Sequence, residues 1–261
     1  FFFVSSMFAG LSMVIFEGTL AHRYLNNRMD ATHLEEADGV VLGFGKAAAF
    51  ISVEGAHIID CLPERLEEAY EKGVRAINIT WNNANILSGS HIQEPERGLS
   101  EAGRRYVGLC NRLGIIVDVS HLSVPGFWDI CEITSSPIIA SHSNSLSVCG
   151  HSRNISDAQF KAIIELGGVA GINMCPDFIG ENPDLECVIR HIMHFLDLGG
   201  EENISIGTDF DGTDHLCRGI YGVGELDRLY DAILSAGISE KVAKDIFFNN
   251  LMRVVEQICV M

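Results

Sequence analysis

Short apolar runs alternate repeatedly with longer segments of helical periodicity along this chain. Runs of strand type lie at 1–7, 49–53, 75–80, 114–119, 137–140, 168–174 and 203–207. Between them, helical periodicity covers 62–72, 100–113, 156–166, 185–198 and 239–255, with Ser100 and Ser156 at helix starts and Gly73, Gly114 and Gly199 at stops. Such alternation builds parallel strands joined by crossover helices, as an open doubly wound sheet or a closed barrel.

Polar residues at the strand ends decide between them. Six of the seven runs lead into one: Glu54, the Trp81-Asn82-Asn83 group, His121, His142, Asn173 and Asp209. In a barrel those ends meet at one mouth, whereas an open sheet spreads them along a line. The expectation is therefore a single α/β domain over 1–261, a TIM (β/α)8 barrel of the metallo-dependent hydrolase type that lacks its first strand in this chain. The apolar start, FFFVSSMFAGLSMVIF, is expected to be a buried strand and turn rather than a targeting segment, since it lacks basic residues at its head and meets Glu17 too early to span a bilayer. A chain that does not open on methionine is expected to be a fragment, its first βα unit upstream.

With 47% hydrophobic and 20% charged residues among 261, the chain can bury a full core. Its formal net charge of -17 repels phosphate backbones and anionic headgroups, which argues against nucleic-acid and membrane partners. Eight cysteines without a CxxC pair suit reduced thiols in a cytoplasmic protein better than a disulfide framework.

Glu54 in VEGAH, His121 in DVSH and His142 in ASHS each follow an apolar run. Singly, each reads as readily as a hydrogen-bonded structural residue as a ligand. Together, two imidazoles and a carboxylate at equivalent strand ends match the donors of a catalytic zinc that keeps one position open for water. Asp209 in GTDFDG adds a carboxylate able to handle a proton beside such a water. Asp118 reads as structural or as a partner behind a ligand histidine. Arg153 in HSRN is a surface arginine taken alone, or a fork for a substrate carboxylate if near the mouth. His57, His151 and His215 read as solvated residues or partners behind a ligand; His22, His33, His91, His191 and His194 are assigned no role.

VEGAH, GLSEAGRRYVGLCNRLGIIVDVSHLS, PIIASHSNSLSVCGHSRN, IGTDFDG and NNLMRVVEQ, in order from about Ala48 to the C-terminus, resemble the membrane dipeptidase (renal dipeptidase) family, peptidase family M19. The resemblance implies a barrel metallodipeptidase with two Zn2+ ions, dipeptides as substrates and hydrolysis by a metal-activated water. By motif, Glu54 bridges both metals, His121 and His142 complete the shell of one, Asp209 handles the proton or the substrate amine, and Arg153 grips the substrate carboxylate. The family's other zinc uses a His-x-Asp pair on the first strand, which this chain does not supply. Where many relatives place a histidine after INIT, this chain has Trp81, whose indole donates one neutral hydrogen bond, so Trp81 and Asn82 are assigned to substrate binding. The alternatives are another metal-dependent barrel amidohydrolase (cyclic amide, lactone or deaminase chemistry), which usually needs a bridging lysine that no strand end offers, and a catalytically inactive fragment or scaffold. Open strand edges leave a homodimer as the assembly to test for.

Overall fold

A computed structural model of the chain describes two strands over 2–8 and 12–16 and the chain over 47–259. The segment 17–46, which holds His22 and His33, lies outside the described residues, as do the side chains of the first two strands. Eight strands form one sheet: β1 (Phe2–Phe8), β2 (Ser12–Phe16), β3 (Ala47–Val53), β4 (Val74–Asn78), β5 (Ile116–Asp118), β6 (Ile138–Ala140), β7 (Val169–Ile172) and β8 (Ile204–Ile206), in the order β2-β1-β3-β4-β5-β6-β7-β8. Strands β3 to β8 are all parallel. The N-terminal stretch departs from expectation: β1 pairs antiparallel with both β2 and β3, so 2–16 is a hairpin on the sheet edge rather than one parallel strand and its turn. Two apolar runs separated by Ala9-Gly10-Leu11 are near enough in sequence to pair with each other, and the residue pattern alone does not give the strand direction.

Alternation along the parallel strands sorts two sets of side chains. Val53, Ile77, Val117, Ala140, Ile172 and Ile206 pack outward with the helices. Phe50, Ala76, Ile116, Ile139 and Val169 point the other way, onto Leu251, Val254, Val255 and Ile258 of the C-terminal helix (Asn250–Cys259). This helix seals the bottom of the sheet's inner face; burying its four aliphatic side chains is worth about 6–12 kcal/mol gross, before entropy. One step further along the same inner face the residues turn polar: Asn78, Asp118 and Asn173 are all buried.

The sheet is curled. Neighbouring strands lie about 4.8 Å apart, so β3 and β8 would be roughly 24 Å apart in a flat sheet. Yet Glu54 after β3 and Asp209 after β8 line the same pocket. Glycine permits the tightest part of the curl: a Cβ on Gly171 or Gly207 would stand 1.9 or 1.8 Å from the Ser141 carbonyl oxygen. The described residues thus form a parallel half-barrel of six strands. Among them β8 pairs only with β7, and no strand closes the ring.

The helices run close to their expected bounds: α1 (Pro63–Glu71), α2 (Glu101–Leu113), α4 (Asp157–Glu165) and α6 (Leu185–Asp197). Ser100 caps α2 by accepting the Gly103 N–H, and Ser156 with Gln159 forms a capping box on α4. Three helices are absent from the sequence reading: α3 (Val124–Ile133), the single turn α5 (Pro176–Ile179) and α7 (Leu226–Ser235). The terminal helix expected over 239–255 is instead α8 (Glu240–Lys244), a wide π turn (Asp245–Asn249) and α9 (Asn250–Cys259). All eight cysteines carry free thiols. No helix among the described residues is long and apolar enough to cross a membrane.

Candidate metal and substrate site

Glu54, His121 and His142 converge at the C-terminal ends of β3, β5 and β6, all three buried. His121 Nε2 and His142 Nε2 stand 3.0 and 3.1 Å from Glu54 Oε1, and the two nitrogens are 2.9 Å from each other. A donor atom from each residue lies within 4.8 Å of the others, the spacing of a shared cation shell. Burial, then Arg153, His142 and His91, hold the His121 imidazole well below its usual pKa, which keeps it a neutral ligand. His142 moves the other way: burial pulls it down, but Asp209 and the hydrogen-bonded Glu54 outweigh burial and raise it. The field at its Nε2 therefore favours positive charge, which a divalent cation supplies as well as a proton does. Donor type, convergence and field all fit a metal ion.

The far ring nitrogens are held as well. Asn82 Oδ1 lies 2.9 Å from His121 Nδ1, and Ser141 Oγ lies 2.6 Å from His142 Nδ1. With these oxygens accepting from Nδ1–H, each ring can present its Nε2 lone pair to a metal shared with Glu54. His121 sits at φ 69° and Asp209 at φ 55°, left-handed conformations that cost a non-glycine residue on the order of 1–3 kcal/mol. Both lie at the pocket, where surrounding contacts must hold them.

The pocket beside this cluster has a volume of ≈260 Å³. Asp209 forms one wall; burial pushes its carboxyl pKa up, with Glu54 reinforcing the rise and His142 and Arg153 opposing it. Asn173 Nδ2 donates to its Oδ2 at 3.0 Å. Arg153 is 4% exposed rather than solvated, so the surface alternative fails. One Nη2–H donates to the His142 carbonyl at 3.2 Å, the guanidinium carbon lies 5.4 Å from the Phe178 ring centre, and its Nε has no hydrogen-bond partner. A buried cation on the pocket lining is suited to an anionic ligand group.

Trp81 and Asn82 both line the pocket, Trp81 with its ring centre 6.4 Å from that of His121. The Asn82 oxygen is shared with His91 Nε2 at 3.2 Å, so the side chain also holds His121 from behind. His91 and His151 are on the pocket wall too. Burial, then Arg153 and His151, hold the His91 pKa down to about 3. Nothing in the spacing of the sequence points to His91, because the loop that carries it folds back over the mouth only through contacts such as its Nδ1 with Ser152 Oγ at 2.9 Å. Asp118 lies below the cluster, fully buried. His57 and His215 are not on the pocket wall, and His191 is a core residue bonded to the Ser145 N–H and the Ile179 carbonyl.

The model of the family described as membrane dipeptidase (peptidase family M19) matches residues 19–260. Among curated proteins, dipeptidase verJ of Clonostachys rogersoniana is 33% identical over 243 residues, covering 92% of this chain and 62% of that protein. An uncharacterized dipeptidase of Schizosaccharomyces pombe is 32% identical over 79% of this chain and 52% of its own length. An uncharacterized Klebsiella pneumoniae protein in the pqqA 5' region is 32% identical over 79% of this chain and 80% of its length. A solved metallo peptidase from Rhodobacter sphaeroides, liganded with a phosphinate mimic of the dipeptide L-Ala-D-Ala, superposes with a TM-score of 0.75 at 31% identity, over 79% of this chain and 62% of that one. The structure of dipeptidase AC, an M19 metallo peptidase, gives the same TM-score at 30% identity over 80% of this chain and 64% of that one. The chain thus spans between half and two thirds of the length of the named dipeptidases.

Proposed function

Because the chain belongs to the membrane dipeptidase family, peptidase family M19, we propose that it carries the active site of a zinc-dependent dipeptidase built on a (β/α)8 barrel. The observation that carries this reading is the meeting of Glu54, His121 and His142 beside the buried Arg153. Glu54, His121 and His142 hold the metal. When bound, zinc supplies Lewis acidity and a water whose pKa falls toward about 7.

The remaining work belongs to this chain's own side chains. Arg153, a buried cation on the pocket lining, binds the C-terminal carboxylate of a dipeptide with its guanidinium. Asp209, its carboxyl raised by burial, takes and returns a proton at the attacking water or holds the substrate amine. Asn173 keeps that carboxylate turned toward the pocket. Trp81 and Asn82 close the wall of the pocket beside the ligand cluster and contact the substrate there. An anchored carboxylate at one end of a ≈260 Å³ pocket favours substrates of two residues.

The test is a panel of zinc-loaded reactions with dipeptides, including ones ending in a D-residue, set beside N-acetylated and C-amidated analogues, lactones and hydantoins. Cleavage of free dipeptides alone supports the reading. Preference for a lactone or cyclic amide would transfer the site to another barrel amidohydrolase.

A further inference from the structure

His151 stands on the pocket wall, half-buried rather than solvated, and the proposed chemistry gives it no task. Its place is fixed from several sides. The His151 N–H donates to the Cys149 carbonyl at 2.8 Å, and the His151 carbonyl accepts the Asn154 N–H at 2.9 Å. Asn154 Nδ2 donates in turn to the carbonyls of Cys149 at 2.8 Å and Phe178 at 2.9 Å, which pins this turn onto α5. The imidazole lies 4.6 Å, centre to centre, from the Phe178 ring. Since the Arg153 guanidinium carbon lies 5.4 Å from the same ring centre, imidazole and guanidinium share one stretch of wall.

One contact settles which ring nitrogen carries the proton. The Arg153 main-chain N–H donates to His151 Nδ1 at 3.1 Å. A main-chain N–H can only donate, so Nδ1 is the acceptor and the ring is neutral with its hydrogen on Nε2. Burial and then the Arg153 charge, with Asp177 opposing, lower the pKa of the ring, which disfavours the doubly protonated form that could not accept. Among the described residues nothing accepts from Nε2–H. The imidazole thus commits one nitrogen to the Arg153 backbone and keeps a neutral donor on the wall that it shares with the guanidinium.

A carboxylate offers two oxygens and about four lone-pair directions. Arg153 already donates one Nη2–H to the His142 carbonyl, so its fork does not fill them all. We propose that His151 is a second binding residue for the substrate's terminal carboxylate: Nδ1 holds the Arg153 backbone in place, and Nε2–H hydrogen-bonds the carboxylate beside the guanidinium. The inference rests on Arg153 gripping that carboxylate, as the proposed function has it. No proton is transferred; one neutral hydrogen bond is added to a charged one. The cation comes first, because a neutral donor alone does not offset the cost of taking a carboxylate out of water. His151 therefore raises the preference for a free carboxylate only while Arg153 is present.

His151→Asn separates the two nitrogens. The asparagine Oδ1 can accept the N–H two residues on, as Nδ1 does, while its short side chain leaves the place of Nε2 without a donor. The experiment titrates the zinc-loaded full chain calorimetrically at neutral pH with a phosphinate mimic of an Ala-Ala dipeptide and with the same mimic amidated at its C-terminus. The readout is the ratio of the two dissociation constants for the wild type, His151→Asn and Arg153→Met. Wild type should favour the free acid, and His151→Asn should lose roughly 5- to 20-fold of that preference, the worth of one hydrogen bond to a charged acceptor, with affinity for the amide within about twofold of wild type. An undiminished preference in His151→Asn, or equal losses for both forms, overturns the proposal, the second because a merely structural residue acts on both alike. A wild type that binds neither form, or both equally, or Arg153→Met with an unchanged preference, instead overturns the carboxylate reading beneath it. Should His151→Asn fail to fold, nuclear magnetic resonance of the wild type with isotope-labelled histidine decides. The His151 ring, identified by its contact with the Phe178 ring, should carry its proton on Nε2, and that proton should move downfield with the free acid and stay in place with the amide. A proton on Nδ1, or an Nε2–H that both forms shift alike, overturns the proposal.

Discussion

Replacing Arg153 by methionine keeps most of the apolar stem and removes the guanidinium. In the structure that group spends one N–H on the His142 carbonyl, keeps its Nε unpaired and is almost wholly removed from water. A hydrogen bond between charged partners is worth about 1.5–3 kcal/mol, so losing the grip on a substrate carboxylate should weaken binding roughly 10- to 150-fold. The assay is calorimetric titration of zinc-loaded protein with an uncleavable dipeptide analogue and with the same analogue amidated at its C-terminus. Wild type should prefer the free carboxylate by that factor, and Arg153→Met should bind both forms about equally. A variant that loses affinity yet still prefers the free acid would refute the carboxylate role, because the loss would then come from a disturbed His142 backbone.

Asn82→Leu, which removes the oxygen behind His121 Nδ1, should lower zinc affinity about 10- to 100-fold in a chelator competition. Gly171→Ala and Gly207→Ala would each press a methyl onto the Ser141 carbonyl; each should cost at least about 1–3 kcal/mol in urea unfolding, and more where the strand cannot shift. His191 offers a pH-dependent stability test. Burial holds its pKa down to about 4 while Nδ1 accepts the Ser145 N–H. The unfolded chain takes up this proton first, so the neutral-ring contribution is complete above about pH 6.5 and is lost as pH falls toward 4, by up to about 3 kcal/mol. His191→Asn should flatten that part of the urea-derived stability profile; an unchanged slope would show that other groups dominate it.

The parallel strands and the mouth of the half-barrel were legible because strand-end polarity is written in the chain: an apolar run that stops at Glu54, His121 or His142 has only one face on which to place it. Helix bounds followed from caps whose side chains bond locally, as at Ser100 and Ser156. Helix α3 was hidden by Pro125 and Gly126 in its first turn, which look like a break although proline suits a helix start. The antiparallel direction of β1 was not legible, since hydrogen-bond pairing leaves no mark on the residue pattern. Arg153 looked like a surface residue because its burial comes from Phe178 and His142, far from it in sequence or bonded through the backbone. The support behind the histidines divides in the same way: Ser141 is the neighbour of His142, but Asn82 reaches His121 across 39 positions, a contact only the curled sheet creates.

The dipeptidase assignment depends on Glu54, His121 and His142 grasping one cation. A crystal of zinc-loaded protein, measured on both sides of the zinc absorption edge, locates the metal independently of any activity. An anomalous peak is expected about 2.0–2.2 Å from Glu54 Oε1, His121 Nε2 and His142 Nε2 together. Zinc found elsewhere on the chain, with these three side chains still in contact and no metal among them, would overturn the assignment.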